Sequence, residues 1–265
     1  DKRAVGRDFD RAAAQYEAHA GLQRQVAGEV ADGLVARLGT GSLGPMADLG
    51  CGTGLLGRAL SQRGQAPRPL AQLDLAPAMA RRAHRQHAPS IVGDAERLPL
   101  ASGQWAAVAS SLTLQWCNDL PGVLAEARRA LAPGGLFLAA TVLDGTLSEL
   151  ASALDAVDGG PPPVGPFHDA DTVRQILADS GLAGAACLDA ARRRWAEDPL
   201  QVLRELRGLG ATAKDARHPG GGGLGGRRRL QRLRAAYREA AAAPEGPVPA
   251  TWNVAFLVGW KPAAS

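Results

Sequence analysis

The segment with the clearest chemical potential is ADLGCGTG, residues 47–54, in which an acid precedes three glycines spaced two residues apart. Glycine permits positive φ and carries no Cβ, so a ligand can approach the backbone closely. An apolar strand precedes the segment and a helix follows it, which directs the amides of a helix N-terminus at that ligand. We interpret the segment as a nucleotide-binding turn formed by Asp48, Gly50, Cys51, Gly52 and Gly54.

The same loop fits a dinucleotide site poorly. In the fingerprint G-x-G-x-x-G/A, counting from Gly50 puts Leu55 where the last small residue belongs.

Asp74 ends the second predicted strand, and a carboxylate at that position can accept both hydroxyls of a ribose. The alternative for such an acid is a helix N-cap or a surface charge. Cys51 is interpreted as a small filler and not as a nucleophile, because no base or cation accompanies it in the sequence.

The elements that must position these residues alternate between strand and helix. Short apolar runs predict strands at residues 45–49, 69–75, 90–92, 105–112 and 136–142, and helices are predicted at 55–63, 77–87 and 122–131, with a turn at 133–135. This alternation predicts an α/β fold with a doubly wound, mostly parallel sheet and helices on both faces. Helices are predicted before the first strand, where apolar residues recur every three or four positions.

The second half of the chain has a different pattern. It predicts helices at residues 171–180, 199–209 and 228–241, strands at 185–195 and 252–260, and loops at 159–166 and 218–226. We expect a single domain over residues 1–265. It comprises an N-terminal helical extension (1–38), a cofactor-binding core (39–195), a helical insertion (196–248) and a final strand (249–265). The length of 265 residues and a 46% hydrophobic content are sufficient for one large core.

Composition excludes several classes of protein. The net charge of +4 is mild, aromatic residues make up only 4%, and the arginines are scattered, which argues against a nucleic-acid binder. Most of them are interpreted as solvated surface charges, with an acidic protein partner as the alternative. The three cysteines have neither metal-ligand nor disulfide spacing, so we expect no metal and a cytoplasmic location. No apolar run is long enough for a membrane span or a secretory signal.

The pattern acid-x-Gly-x-Gly-x-Gly resembles motif I of the class I S-adenosylmethionine-dependent methyltransferases, in which the loop lies under the amino acid portion of the cofactor. The resemblance implies S-adenosyl-L-methionine as cofactor and a Rossmann-like, seven-stranded sheet. It also implies that Asp94 takes the adenine amino group while the backbone amide that follows meets the ring. The further cofactor contacts that it implies are at Leu75, Met79, Ala95, Glu96, Ser110 and Leu112. The alternative for Met79 is ordinary helix core.

Four other segments resemble one family within that class, the malonyl-[acyl-carrier-protein] O-methyltransferases of biotin synthesis. They are RAAAQYEAHAGLQRQVA (11–27), LTLQWCNDLPGVLAEARRALAPGGLFLAAT (112–141), LRELRGLGAT (203–212) and LQRL (230–233). Together they cover nearly the whole chain in the family's order, and the glycine-rich stretch at 220–226 is the one departure. The resemblance implies methyl transfer to the free carboxylate of a malonyl thioester on an acidic acyl carrier protein. Malonyl-coenzyme A is a second, weaker candidate substrate.

Candidate acceptor-side residues lie within the matched segments. Tyr16 is the candidate catalytic residue, and the candidate substrate-binding residues are His19, Gln115, Trp116 and Arg207. The alternatives are a core tyrosine, a packing tryptophan and a solvated arginine. A carboxylate is already ionised at neutral pH and needs no general base, so the enzyme would mainly supply alignment. The candidate docking residues for the carrier are Arg228, Arg229, Arg232 and Arg234.

Two other functions stay open on the sequence alone. One is methylation of another small carboxylic acid or of a quinone, for which the cofactor half would look the same. The other is a non-catalytic module that retains the fold and binds a carrier protein or nucleic acid. The intact acids Asp48, Asp74 and Asp94 argue against a decayed site.

Overall fold

A computed structural model describes residues 2–39, 43–86, 88–159, 164–211 and 226–263. Within these ranges the strands are β1 (Met46–Leu49), β2 (Leu70–Asp74), β3 (Ser90–Val92), β4 (Trp105–Ser111), β5 (Leu131–Val142), β6 (Ala183–Ala196) and β7 (Val248–Trp260). The helices are α1 (Lys2–Ala12), α2 (Tyr16–His19), α3 (Gly21–Leu38), α4 (Leu55–Gln62), α5 (Pro77–Gln86), α6 (Leu120–Ala130), α7 (Ser148–Asp158), α8 (Ala170–Asp179), α9 (Pro199–Leu209) and α10 (Arg227–Ala240). A 3₁₀ turn covers Leu114–Trp116.

The seven strands form one sheet in the order β3-β2-β1-β4-β5-β7-β6. All neighbouring strands are parallel except β7, which runs antiparallel to both β5 and β6. The predicted doubly wound, mostly parallel sheet is therefore confirmed, as are the helices before it and the helical segment before the last strand. Chain order reverses between β1 and β4, and ligands of open α/β sheets bind in the crevice outside the strand ends at such a point.

Helices cover both faces of the sheet because successive strand residues point in opposite directions. On one face, Met46 and Leu138 pack in a core with buried residues of α3 and α4 such as Val26. On the other face, the neighbouring Ala47 and Phe137 belong to a second core, with residues of α6 and α8. Burial on both sides explains why the central strands are continuous apolar runs in the sequence.

Three differences from the sequence prediction concern the start of one helix, a predicted turn and an additional helix. Helix α6 begins two residues earlier than expected, since the Asp119 carboxylate caps it by accepting the Gly122 N–H at 2.9 Å. The predicted turn at 133–135 is an irregularity inside β5, where the register with β4 shifts between Leu131 and Leu136. Helix α7 was not predicted, because the residues that precede it in the sequence show no clear apolar periodicity.

A third core lies beside the sheet edge and is built by α7, α9, α10 and the start of β7. Its largest fully buried side chain is Tyr237, whose hydroxyl donates to the Pro249 carbonyl at 2.9 Å. Most of the two predicted loops at 159–166 and 218–226 lies outside the described residues. None of the helices described is both long and apolar enough to cross a bilayer.

Candidate active site

The glycine loop leaves β1 at the centre of the sheet, between β2 and β4. Gly50 has φ +67°, and a Cβ added to it would overlap the Thr113 side chain. The Thr113 hydroxyl donates to the Gly50 carbonyl at 3.0 Å, which joins the loop to the segment after β4. Gly54 has φ +86° and stands directly before α4. The glycines are therefore required by the close approach of two loops as well as by the backbone conformation.

A cavity of about 750 Å³ opens beside this loop, and we call it the switch-point cavity. Its walls come from the carboxyl ends of β1, β2, β3 and β4 and from α1. Among the predicted residues it brings together Tyr16, Gly50, Gly52, Asp74, Leu75, Met79, Asp94, Ala95, Leu112 and Trp116. It is also lined by Lys2, Phe9 and Thr113, which were not predicted from the sequence.

Asp74 lies at the end of β2 with its carboxylate at the cavity wall. Its Oδ2 accepts the Gly52 N–H at 2.8 Å, and its Oδ1 accepts the Ala76 N–H at 2.8 Å. Burial raises the pKa of Asp74 to about 6, although the two backbone hydrogen bonds act in the opposite direction. Each oxygen retains acceptor capacity, so the group can still receive two hydroxyls. This geometry suits a ribose.

Asp94 faces the far end of the same cavity and is held by a cation from α1. Lys2 Nζ donates to both Asp94 oxygens, at 2.9 and 2.8 Å, and is also paired with Glu96. Burial alone raises the pKa of Asp94, but the hydrogen bond and charge of Lys2 outweigh it, and the pKa lies below its usual value. Glu96 accepts the Asn118 N–H at 2.6 Å and is not among the residues that line the cavity. It holds two loops together.

A second, smaller cavity of about 300 Å³ lies under the glycine loop, and we call it the loop cavity. Asp48, Thr53 and Gln23 line it, and each has at least one buried side-chain oxygen without a hydrogen-bond partner among the described residues. Burial raises the pKa of Asp48 to about 7, with a further contribution from the charge of Asp74. Buried polar groups are rarely left unsatisfied, so three of them in one small space indicate a polar ligand.

Tyr16 lines both cavities. Its ring lies 6.4 Å from that of Phe9, which contacts Trp116 at 5.5 Å between centroids in an edge-on arrangement. Burial, assisted by the charge of Asp74, raises the pKa of Tyr16 well above its usual value. The hydroxyl therefore stays protonated and is available as a donor. No hydrogen bond joins it to any residue in the described part of the chain.

Three other predicted residues are not among those that line the switch-point cavity. The Ser110 hydroxyl donates to the Leu49 carbonyl at 2.8 Å inside the sheet, and Ser111 lines the two cavities in its place. Gln115 Nε2 donates to the Leu112 carbonyl at 2.8 Å, which supports the positive φ of that residue. Cys51 is buried in the wall of the loop cavity, and burial raises the pKa of its thiol well above the usual value.

The remaining two predictions concern α2 and α9. His19 lines a third cavity of about 400 Å³, which we call the α2–α9 cleft. Its imidazole packs against Gly208, where an added Cβ would overlap the ring. This contact therefore requires a glycine at position 208. Arg207 is exposed on α9 and is not among the residues that line the three cavities. The structure thus does not bring Arg207 together with the other candidates.

Comparison with known proteins agrees with this geometry. The family described as "Methyltransferase domain" matches residues 47–139. The malonyl-[acyl-carrier protein] O-methyltransferase of Hahella chejuensis is 36% identical over 97% of this chain and 90% of that protein. The biotin biosynthesis bifunctional protein BioHC of Cellvibrio japonicus is 37% identical over 99% of this chain, which spans 51% of that longer protein.

A solved structure supports the fold. Phosphoethanolamine N-methyltransferase 2 of Haemonchus contortus, in complex with S-adenosyl-L-methionine, superposes with a TM-score of 0.58 at 19% identity, over 96% of this chain and 57% of that one. The family is shown by the sequence identity to relatives that match this chain over nearly its full length. The chain belongs to the malonyl-[acyl-carrier protein] O-methyltransferases, a family of S-adenosylmethionine-dependent methyltransferases.

Proposed function

We propose that this protein transfers a methyl group from S-adenosylmethionine to the free carboxylate of a malonyl thioester carried by an acyl carrier protein. The observation that carries the proposal is 36% identity to a malonyl-[acyl-carrier protein] O-methyltransferase over 97% of the chain, which includes the helices around the acceptor side. The methyl ester hides a charge, so the product can prime pimeloyl synthesis for biotin as an ordinary acyl unit. Malonyl-coenzyme A is the second candidate acceptor.

The residues present fit the cofactor. The two oxygens of Asp74 would hold the ribose hydroxyls, and Asp94 with the Ala95 amide would hold the adenine. The unpartnered oxygens of Asp48 and Thr53 would face the charged amino acid portion. When bound, S-adenosylmethionine supplies an electrophilic methyl group on a sulfonium. The buried carboxylate of Asp48 then lies close to positive charge, which offsets the free energy cost of its burial.

The acceptor side requires positioning more than acid–base chemistry. A malonyl carboxylate is ionised at neutral pH and attacks without a general base. Alignment of the two reacting groups can supply roughly 7–11 kcal/mol of the barrier. Tyr16 is the proposed catalytic residue, because it lines both cavities and its neutral hydroxyl can donate to the acceptor. Trp116 and Phe9 would close the apolar side of this position.

The first test compares acceptors. Purified protein is incubated with labelled S-adenosylmethionine and with carrier protein loaded with malonyl, acetyl or succinyl groups. We expect label only on the malonyl carrier, since acetyl has no free carboxylate and succinyl places it one methylene further from the thioester. Transfer to none of the three, with cofactor binding intact, would contradict the proposed function and favour another acceptor.

Tyr16→Phe tests the proposed catalytic residue. We expect kcat to fall roughly 10-fold, since one hydrogen bond in the transition state is lost, while cofactor affinity stays within about twofold. The matched control is Tyr237→Phe, which removes the hydroxyl bonded to the Pro249 carbonyl and should lower thermal stability without changing kcat. Equal kcat values for Tyr16→Phe and the unchanged protein would remove Tyr16 from the chemistry.

Asp48 predicts a dependence of cofactor affinity on pH. The carboxyl ionises as pH rises through about 7, and only the ionised form attracts a cationic ligand. We expect the Kd of S-adenosylmethionine to fall roughly 10-fold between pH 5.5 and 8, measured by calorimetry. Asp48→Asn should lose most of this change, and Asp74, with a pKa of about 6, accounts for the remainder. The exposed control Asp155→Asn should keep the full dependence; a flat profile for the unchanged protein would contradict the assignment.

The same carboxyl affects the stability of the ligand-free protein in the opposite sense. Its native pKa lies above the unfolded value, so the native state retains a proton that the unfolded chain has lost, and stability falls as pH rises from about 4 to 7. Asp48→Asn should therefore raise the melting temperature at pH 8, and this gain should shrink towards pH 4. Thermal unfolding without cofactor provides this comparison.

Four arginines of α10 are the proposed docking residues for an acidic carrier: Arg228, Arg229, Arg232 and Arg234. Arg229 is paired with Asp158, and Arg234 with Asp198, so these two also stabilise the fold. Arg228 and Arg232 are exposed and form no ion pair within the described residues. We expect Arg228→Glu combined with Arg232→Glu to raise KM for malonyl carrier protein roughly fivefold at low salt, while KM for malonyl-coenzyme A stays unchanged.

The control for this surface is the same double reversal at Arg81 and Arg85, which are exposed and equally spaced on α5. It changes the net charge of the protein by the same amount at a different place. An equal rise in KM from both double variants would show an effect of overall charge and would contradict docking at α10.

A further inference from the structure

The α2–α9 cleft is formed by parts of the chain that lie outside the cofactor site. Its walls come from α2, α3, the end of β6, α9 and β7. Apolar side chains provide most of the surface, including Leu22, Val202, Leu206 and Leu209. The cleft opens to solvent beside Trp195, whose side chain is 62% exposed even though it is large and apolar.

The cleft adjoins the loop cavity through one residue. Gln23 lines both spaces, and the loop cavity shares Tyr16, Gly50 and Ser111 with the switch-point cavity. The three spaces therefore follow one another from Asp74 to the surface. The Oε1 atom of Gln23 is buried at this junction without a hydrogen-bond partner in the structure. An occupant that reaches from the cleft towards Tyr16 would pass this amide.

Arg194 and Glu205 provide the charged groups of the cleft. The Arg194 guanidinium lies over Gly21, where an added Cβ would overlap it, and it makes no hydrogen bond or ion pair within the described residues. The Glu205 carboxylate accepts the Gln201 amide at 2.9 Å and retains further acceptor capacity. The cleft thus offers an unused donor and a partly used acceptor among apolar walls. That arrangement suits a flexible chain in which methylenes alternate with amides.

We infer that the α2–α9 cleft binds the pantetheine arm of the acyl thioester, with Arg194 donating to a carbonyl oxygen of the arm. This inference rests on the proposed function, and it adds the substrate-binding residues that its acceptor requires. The arm is a chain of methylenes with two amides, so it matches both the apolar walls and the Arg194–Glu205 pair of donor and acceptor. The thioester end lies at Gln23, and the mouth at Trp195 leads to the carrier.

The position of Arg194 along the arm follows from α3. Its guanidinium lies against Gly21, two residues before Gln23, which corresponds to about 3 Å of helix rise. Arg194 is therefore placed near the thioester half of the arm and not at the distant phosphate. Consequently its contribution should be the same for malonyl-pantetheine, which has no phosphate, and for malonyl-coenzyme A.

Binding to the protein saturated with S-adenosylhomocysteine tests the inference without turnover, because this product has no methyl group to transfer. Arg194→Met should raise the Kd of malonyl-pantetheine and of malonyl-coenzyme A equally, by roughly 10-fold, measured by calorimetry. The affinity for S-adenosylhomocysteine should not change. The matched control is Arg193→Met, an exposed neighbour on β6 that is not among the residues lining the cleft.

A second variant moves the guanidinium without removing its charge. Gly21→Ala places a methyl group where the Arg194 side chain lies, so it should weaken thioester binding to a similar extent. Gly28→Ala on the same helix is its control, because the added Cβ would meet only Arg63 Nη2, at 3.4 Å. Gly21 is the first residue of α3 and Gly28 lies in its interior, so thermal unfolding of both variants is measured to separate the change in helix stability from the effect of the displaced arginine.

The outcomes separate the two claims. Unchanged thioester affinity in both Arg194→Met and Gly21→Ala would overturn the cleft assignment and leave the proposed function standing. A larger loss for malonyl-coenzyme A than for malonyl-pantetheine would assign Arg194 to the phosphate and would also overturn it. If the unchanged protein binds no malonyl thioester while S-adenosylhomocysteine is bound, the proposed function and the cleft assignment both fail.

Discussion

The site depends on the carboxylate of Asp74, which accepts the backbone N–H groups of Gly52 and Ala76. These two hydrogen bonds join the glycine loop after β1 to the turn after β2, so the floor of the switch-point cavity is rigid before a ligand arrives. Charge-assisted bonds to backbone amides are among the stronger interactions in proteins. They also orient both oxygens, so that the remaining acceptor positions of Asp74 face the cavity. The strand order creates the crevice, and the hydrogen bonds of the Asp74 side chain fix the positions of the two loops that line it.

A second constraint is that the cofactor half and the acceptor half are built from different parts of the chain. The glycine loop and the ends of β2, β3 and β4 surround the switch-point cavity, whereas α2, α3, α9 and the end of β6 surround the α2–α9 cleft. Several contacts join the halves, and among them Tyr16 and Gln23 extend from the N-terminal helices to the loop cavity. The acceptor can therefore be recognised at the β6–β7 edge of the sheet, while the methyl group is transferred beside the glycine loop at its centre.

The cofactor half was largely predictable, because each of its features is local in sequence. Asp74 and the glycine loop stand at strand ends, and parallel strands bring their carboxyl ends to one edge. The acceptor half was less predictable from the sequence. Arg194 reaches α3 from the end of β6, so this contact leaves no short pattern. The same holds in the cofactor half for Lys2, which reaches Asp94 across 92 positions. Arg207 was chosen from a matched segment, yet the helix places it outwards. The Ser110 hydroxyl donates to the Leu49 carbonyl within the sheet, and the neighbouring Ser111 lines the cavities, since alternate strand residues point to opposite faces.

The antiparallel strand β7 has a consequence for how the acceptor side can change. Ala196 at the end of β6 pairs with Val248 at the start of β7, so the intervening helices leave and re-enter the sheet at neighbouring positions. A segment with adjacent ends can be lengthened, shortened or exchanged without moving the strands that flank it, because the closure entropy varies only slowly with length. An exchanged segment would have to keep the packing of α9 on α1 and α2 and of α10 on α7. Recombination or grafting at these two residues would give new acceptor preferences to a catalytic core that keeps its own donor.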